Sequence, residues 1–83
     1  MEGVREQTEQ MFRNLQEFLK AGGADFSSVV KANCYLTDMD DFSEFNEVYA
    51  SWFGGHRPAR TTVEVSRLPM DVLVEVELIA YTD

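Results

Sequence analysis

The sequence predicts an α+β domain in which two amphipathic helices cover one face of a three-stranded sheet. Two observations support this fold class. Apolar residues recur every three or four positions in two segments, as in helices, and they alternate with polar residues in three others, as in strands. The length of 83 residues then accommodates one domain, residues 1–83, with the order α-β-α-β-β and with no linker or internal repeat.

The first predicted helix is apolar on one side and charged on the other. Its apolar side is formed by Val4, Met11, Phe12, Leu15, Phe18 and Leu19. Acidic residues crowd its first half and Lys20 lies in its last turn, as the helix dipole favours. Gly22-Gly23 ends the helix, because glycine readily adopts the left-handed conformation found there.

A strand and a second helix follow. The segment Val29 to Leu36 alternates, and its predicted core face consists of Val30, Ala32, Cys34 and Leu36. The aspartates of residues 38–41 indicate a helix start, with Asp40 as the expected N-cap. The apolar stripe of this helix is Phe42, Phe45, Tyr49, Trp52 and Phe53, and Gly54-Gly55 ends it.

Two further strands are predicted at Arg60 to Ser66 and Val72 to Tyr81, separated by a turn. The sheet face away from the helices is then a mixture of charged and apolar side chains. It should hold Lys31, Asn33, Tyr35, some of Arg60, Thr62 and Glu64, and Leu73, Glu75, Glu77, Ile79 and Tyr81. We expect such a face to be buried between subunits, around a polar site.

Composition excludes several classes of function. Seven Lys and Arg stand against fifteen Asp and Glu, so the formal net charge is −8, which disfavours nucleic acid and anionic membranes as partners. No apolar run approaches the roughly 18 residues of a membrane span. Cys34 is the single cysteine, which indicates a reducing, cytosol-like compartment, and no Cys/His group has zinc spacing, so we expect no metal. A domain this short gains support from association between chains.

Three residues are candidates for chemistry, each with a second interpretation. Arg60 begins a strand, where its guanidinium could bind a carboxylate in two-pronged fashion or simply pair with one of the many acids. Glu75 lies between two valines and could exchange protons with a bound water, or it is a solvated strand carboxylate. Asn46 is expected to lie away from the apolar stripe of the second helix, where it could hydrogen-bond a ligand or a neighbouring loop, or simply face solvent. From the residues alone, both interpretations stay open.

Blocks of residues carry a resemblance to a known family. In the first two thirds of the chain they are Leu19-Lys20-Ala21-Gly22-Gly23, Val29-Val30-Lys31, Leu36-Thr37-Asp38-Met39-Asp40-Asp41-Phe42 and Phe45-Asn46-Glu47-Val48-Tyr49. In the last third they are Pro58-Ala59-Arg60-Thr61-Thr62-Val63-Glu64-Val65, Arg67-Leu68-Pro69 and Val74-Glu75-Val76-Glu77-Leu78-Ile79-Ala80. With these blocks in this order, the chain resembles the RidA/YjgF family of reactive-intermediate deaminases over nearly its whole length.

The resemblance implies a chorismate-mutase-like trimer, with sheets forming a central barrel and ligand sites between subunits. It implies hydrolysis of small 2-enamines and 2-imines, such as 2-aminoacrylate, to 2-keto acids and ammonia without a cofactor. By position, Arg60 matches the arginine that binds the substrate carboxylate, Glu75 the glutamate that activates water, and Asn46 an asparagine near the cleft. Thr62 stands where many members have a cysteine, and its hydroxyl could donate a hydrogen bond. The implied location is the cytoplasm, with mitochondria left open.

The first ten residues depart from the family pattern, which begins with a β-hairpin ahead of the first helix. Its absence would leave an open edge on Val72 to Tyr81. Three explanations are open: a truncated gene product or gene model, a natural short form, or an edge covered by a swapped partner. Two functional alternatives to the deaminase also remain, a non-catalytic protein that binds small carboxylates or acts through protein contacts such as translation inhibition, and an inactive short form.

Overall fold

Two helices and three strands build the molecule, in the predicted order. They are α1 (Val4–Ala21), β1 (Val29–Leu36), α2 (Phe42–Phe53), β2 (Ala59–Glu64) and β3 (Val74–Ala80). The computed structural model describes residues 3–82. The predicted α+β class, with both helices on one face of the sheet, is confirmed. The extent of the domain, residues 1–83, stays a prediction.

The sheet has the strand order β2-β1-β3, so the first strand in the chain is the central one. β1 runs parallel to β2, because α2 carries the chain back across the sheet between them, and antiparallel to β3. Within residues 3–82, β2 and β3 each pair with β1 alone. Within this part of the chain one edge of β3 thus has no neighbouring strand, and whether that edge is open in the assembled protein stays a prediction.

The core is built around the ring of Phe12, which is fully buried. Its centroid lies 5.8 to 6.0 Å from four other aromatic rings, those of Phe26, Tyr49, Trp52 and Phe53. These residues come from α1, α2 and the turn before β1, so one ring joins three segments of the chain. The indole of Trp52 also donates a hydrogen bond to Glu9 of α1, over 3.3 Å.

The start of α2 differs from the prediction. Asp40 was expected as the N-cap, but it lies inside a short 3-10 turn, Met39–Asp41, that precedes the helix. The carboxylate of Asp38 caps that turn by accepting a hydrogen bond from the backbone N–H of Asp40, over 2.9 Å. The prediction was wrong because three aspartates within residues 38–41 offer several possible caps, and the turn uses the first one.

Two apolar residues predicted to face the core do not. A β-bulge between Val29 and Lys31 shifts the alternation, so Val29 is fully buried whereas Val30 is 53% exposed. Phe18 of α1 is 76% exposed. It lies in the last turn but one of the helix, where the neighbouring Leu15 and Leu19 make the contacts with the core.

Candidate functional site

Arg60 is held in place by three side chains of α2. Its Nη1 donates a hydrogen bond to Oδ1 of Asn46 over 2.6 Å. Its guanidinium carbon lies 4.6 Å from the ring centroid of Tyr49 and 5.4 Å from that of Phe42. An aromatic face attracts a guanidinium, and the amide fixes its rotation, so Arg60 presents its remaining N–H groups in one orientation.

The spacing of these α2 residues explains the arrangement. Phe42, Asn46 and Tyr49 are separated by four and three positions, which places them along one side of the helix. Asn46 was predicted to lie away from the apolar stripe, and this is wrong, since it lies between two members of the stripe. The spacing along the helix could have predicted that Asn46 lies on the same side of α2 as Tyr49, and therefore close to Arg60.

A cleft of about 210 Å³ opens beside Arg60. The lining residues are Asn46, Tyr49, Ala50, Phe53, Gly54, His56, Arg57, Pro58 and Arg60. They come from α2, the connection that follows it and the start of β2. The lining includes two arginines and no carboxylate, so the cleft is suited to a small anion.

A hydrogen bond from His56 links the connection between α2 and β2 to the central strand of the sheet. Its Nε2 lies 2.7 Å from the backbone oxygen of Val29. A carbonyl oxygen only accepts, so Nε2 carries the hydrogen, and Nδ1 is the acceptor in the neutral ring. Neither His56 nor Arg57 was singled out from the sequence as a part of the site, because no pattern links a loop to a cleft wall.

Thr62 lies on the same face as Arg60, next to Cys34 on the neighbouring strand. Its hydroxyl oxygen is buried and makes no hydrogen bond of ordinary geometry within residues 3–82. Burial raises the pKa of the Cys34 thiol, and nearby Thr62 and Arg60 oppose that effect. The thiol is fully buried, on the core face where the sequence predicted it, and burial keeps a thiol unreactive. Thr62 is not among the residues that line the cleft.

Glu75 lies on the opposite face of the sheet. It pairs in register with Tyr35, whose hydroxyl donates to Glu77 over 2.8 Å, and Lys31 donates to Thr61 on the same face. The carboxylate of Glu77, as acceptor of that bond, raises the pKa of Tyr35. Among the four predicted site residues, the structure thus joins Arg60 to Asn46, places Thr62 nearby and separates Glu75.

The predicted assignment of β2 side chains to the open face is wrong. Some of Arg60, Thr62 and Glu64 were expected there, but their register partners are Ala32, Cys34 and Leu36, whose side chains pack beneath the helices. Thr61 and Val63 occupy the open face instead. The polar side chains of β2 thus lie on the face of the sheet that the helices cover, and the apolar side chain of Val63 is left exposed on the other face.

The hydroxyl of Tyr49 gives a stability prediction. It is buried and has no hydrogen-bond partner within residues 3–82, and burial also raises its pKa. We expect Tyr49→Phe to raise the free energy of unfolding by about 1 kcal/mol, because it removes an unsatisfied buried hydroxyl and keeps the ring beneath Arg60. Urea denaturation at a fixed chain concentration measures this. A clear loss of stability in Tyr49→Phe would show that the hydroxyl has a partner in the assembled protein.

Two further properties concern the whole described chain. No group of three or more His, Cys, Asp or Glu side chains in residues 3–82 is arranged as a metal ion would require. Neither helix of that range combines the length and apolar character needed to cross a bilayer.

A protein-family model described as Endoribonuclease L-PSP matches residues 1–82. The chain belongs to this family, also called RidA/YjgF. A family member from Pyrococcus horikoshii, named a RutC family protein, is 50% identical over 96% of this chain and 64% of its own length. A family member from Mus musculus, named 2-iminobutanoate/2-iminopropanoate deaminase, is 47% identical over 94% of this chain and 58% of its own length.

The RidA/YjgF fold is also confirmed by solved structures. RidA from an Antarctic Psychrobacter bacterium superposes with a TM-score of 0.95 at 40% identity, over 99% of this chain and 67% of that one. The chain spans between 42% and 64% of the length of the first five curated relatives of the family. Arg60, its contacts with α2 and the cleft therefore lie in the part of the RidA/YjgF fold that this chain shares with these relatives.

Proposed function

We propose that this chain is a cofactor-independent hydrolase of small 2-imino acids and their 2-enamine tautomers, which it converts to 2-keto acids and ammonia in the cytoplasm. The observation that carries the proposal is Arg60, oriented by Asn46 and Tyr49 beside a cleft without carboxylates. The names of the relatives from mouse and rat, both 2-iminobutanoate/2-iminopropanoate deaminase, support the same chemistry.

Arg60 is the anchor for the substrate carboxylate. A guanidinium has five N–H donors, and only one of them is used by Asn46. The others can bind both oxygens of a carboxylate in a planar, two-pronged arrangement. Stacking on Tyr49 fixes the plane before the substrate arrives, which reduces the entropy lost on binding. An imino acid bound in this way holds its C2 atom at a fixed distance from the guanidinium.

Glu75 is proposed as the residue that activates water, and it acts on a substrate held by another subunit. Arg60 and Glu75 lie on opposite faces of one sheet, on strands separated by β1, and neighbouring strands are about 4.8 Å apart. One chain therefore does not bring both groups to one small molecule. A site that uses both requires a second copy, whose open sheet face meets the cleft of the first.

The open face supports such an assembly. Ile79 is 55% exposed and Val63 is 39% exposed, and both lie on this face beside the polar side chains of Lys31, Tyr35 and Glu77. Apolar β-branched side chains on a solvated sheet face lose the stabilisation that burial would give them. We propose a homotrimer that buries these faces around a common axis. Sedimentation equilibrium should then give three times the 9.5 kDa chain mass.

The proposed chemistry is addition of water followed by loss of ammonia. An enamine first gains a proton at C3 from water and becomes the iminium ion. Glu75 accepts a proton from a second water as the oxygen of that water attacks C2, and the C=N π electrons move to nitrogen, which leaves a neutral carbinolamine. Protonated Glu75 then gives its proton to the amino group, the C–N bond breaks as the C=O bond forms, and ammonia leaves while the hydroxyl proton returns to solvent. Water is the only co-reactant, and general acid–base transfer of this kind contributes roughly 100- to 10,000-fold.

RNA cleavage is disfavoured, although the family model is described as an endoribonuclease. The chain has a formal net charge of −8, and nucleic-acid binding depends on clustered cations that replace the counterions of many phosphates. The two arginines line a cleft of about 210 Å³, and a cleft of this size suits a small acid rather than a polymer.

The proposal is tested by hydrolysis of 2-iminopropionate, generated in place from alanine by an amino acid oxidase and followed by trapping of the imine. We expect Glu75→Gln to lower kcat by at least about 100-fold, because an amide cannot accept the proton from water. Binding of pyruvate should persist in Glu75→Gln, since Arg60 is unchanged. Glu17→Gln is the matched control, as it removes an exposed carboxylate of α1.

The outcomes separate the alternatives. Equal rates for the wild-type protein and Glu75→Gln would contradict the role of Glu75. Binding of pyruvate without any turnover by the wild-type protein would favour a non-catalytic carboxylate-binding protein. Absence of both binding and turnover, with a folded chain, would favour an inactive short form.

A further inference from the structure

Neither arginine of the cleft has a carboxylate partner among the residues that the structure describes. Elsewhere in the described chain, Arg5 pairs with Glu44 and Glu47, and Arg67 pairs with Asp71. Within residues 3–82, Arg57 forms no hydrogen bond or ion pair, and Arg60 bonds only to the neutral amide of Asn46. The chain carries fifteen acidic residues, yet none of those that the structure describes provides a counter-charge for these two guanidinium groups.

The two arginines lie together in a cleft whose lining contains no acidic side chain. All nine lining residues are neutral or basic, and Glu47, which belongs to the same helix as Asn46 and Tyr49, bonds to Arg5 instead. Two like charges that share a small cleft repel each other unless an anion lies between them. One carboxylate satisfies one guanidinium fork. The second fork therefore indicates a ligand with a second anionic group.

The connection between the two arginines is short and stiff. Arg57 precedes Pro58, so its backbone is restricted to extended conformations, and the ring of Pro58 fixes the next φ angle. The bond from His56 to Val29 ties the start of this segment to β1, and Arg60 is already part of β2. Because Arg57 and Arg60 are three positions apart, their Cα atoms lie at most about 10 Å from each other. At this separation the two guanidinium groups can bind the two ends of one small diacid.

We propose that the cleft selects 2-imino and 2-keto acids that carry a second carboxylate, such as 2-iminoglutarate and 2-iminosuccinate. Arg60 binds the carboxylate next to the reacting carbon, and Arg57 binds the distal one. This inference rests on the deaminase function proposed above for its catalytic part, but the preference for a diacid is also a property of binding alone. Arg57 thereby determines specificity without a part in the chemical step.

The test compares 2-iminoglutarate with 2-iminopropionate as substrates, each generated in place from its amino acid. We expect the wild-type protein to have the higher kcat/KM for 2-iminoglutarate. In Arg57→Gln, the ratio of the two kcat/KM values should fall by roughly 10- to 100-fold, as expected for loss of one charge-assisted hydrogen-bonded pair. Arg13→Gln, an exposed substitution on α1 with the same change of charge, should leave the ratio unchanged.

Binding measurements keep this inference separate from the deaminase proposal. Calorimetric titration with 2-oxoglutarate and with pyruvate should show tighter binding of 2-oxoglutarate, and Arg57→Gln should remove most of the difference. If no imine is hydrolysed but this preference is found, the deaminase proposal fails and the diacid site stands. Equal affinity for the two keto acids, or displacement of 2-oxoglutarate by inorganic phosphate at equal concentration, would overturn the diacid site.

Discussion

Arg60→Ala is expected to lower kcat/KM for 2-iminopropionate by roughly 1,000-fold, because it removes two charge-assisted hydrogen bonds to the substrate carboxylate, about 4 kcal/mol in total. The structure adds a sharper variant. Arg60→Lys keeps the charge but loses the fork, the bond to Asn46 and the flat contact with Tyr49. We expect it to recover only a small part of the lost kcat/KM.

The measurement is steady-state kinetics on the assembled protein, with circular dichroism to show that both variants are folded. Arg67→Ala is the matched control, since Arg67 is exposed and pairs with Asp71 away from the cleft. Its kcat/KM should stay within about twofold of the wild type, as exposed ion pairs contribute little. A rate for Arg60→Lys close to that of the wild type would mean that Arg60 acts only as a point charge, and the proposed orientation by α2 would be wrong.

Phe12→Ala is expected to lower the free energy of unfolding by about 3 to 5 kcal/mol, because a fully buried ring is removed from contact with four others. An 83-residue domain has a total stability of roughly 4 to 12 kcal/mol, so this single substitution should remove at least about a quarter of the stability of the chain. The loss also reaches the site, since Phe12 contacts Tyr49, on which Arg60 is seated.

The same helix provides an unusually close control. Phe18 is the same residue type on α1 but is 76% exposed, so Phe18→Ala should change the stability by no more than about 0.5 kcal/mol. Urea denaturation at one fixed chain concentration compares the two variants, since association would otherwise shift the midpoint. Equal stabilities of Phe12→Ala and Phe18→Ala would contradict the packing described for the core.

The elements of the fold were predictable because their periodicities are strong. Both helices and all three strands follow from the spacing of apolar residues, and the glycine pairs mark the helix ends. The details that failed depend on pairing between distant segments. The bulge that buries Val29 in place of Val30 belongs to the pairing with β3, and a local alternation does not contain it.

The site was predictable only in part, and the face of β2 shows why. Judged by polarity alone, Thr61 and Val63 should lie under the helices, while Arg60 and Thr62 face solvent. The actual register reverses this, because Asn46 and Tyr49 of α2 provide polar and aromatic contacts for Arg60. A polar residue turned inward and an apolar one turned outward are costly in an isolated sheet, and such violations are typical of functional sites.

The central position of β1 sets the order in which this chain folds. β1, α2 and β2 follow one another in the chain and form a local parallel unit, so their contacts require only short loop closures. Val29 pairs with Ala80, however, and α1 packs against β3. The contacts of α1 with β3 therefore join segments that are separated by most of the described chain. We infer a folding nucleus in β1-α2-β2, with φ values near zero in α1 and β3. During synthesis, α1 would then emerge before this nucleus but dock after it has formed.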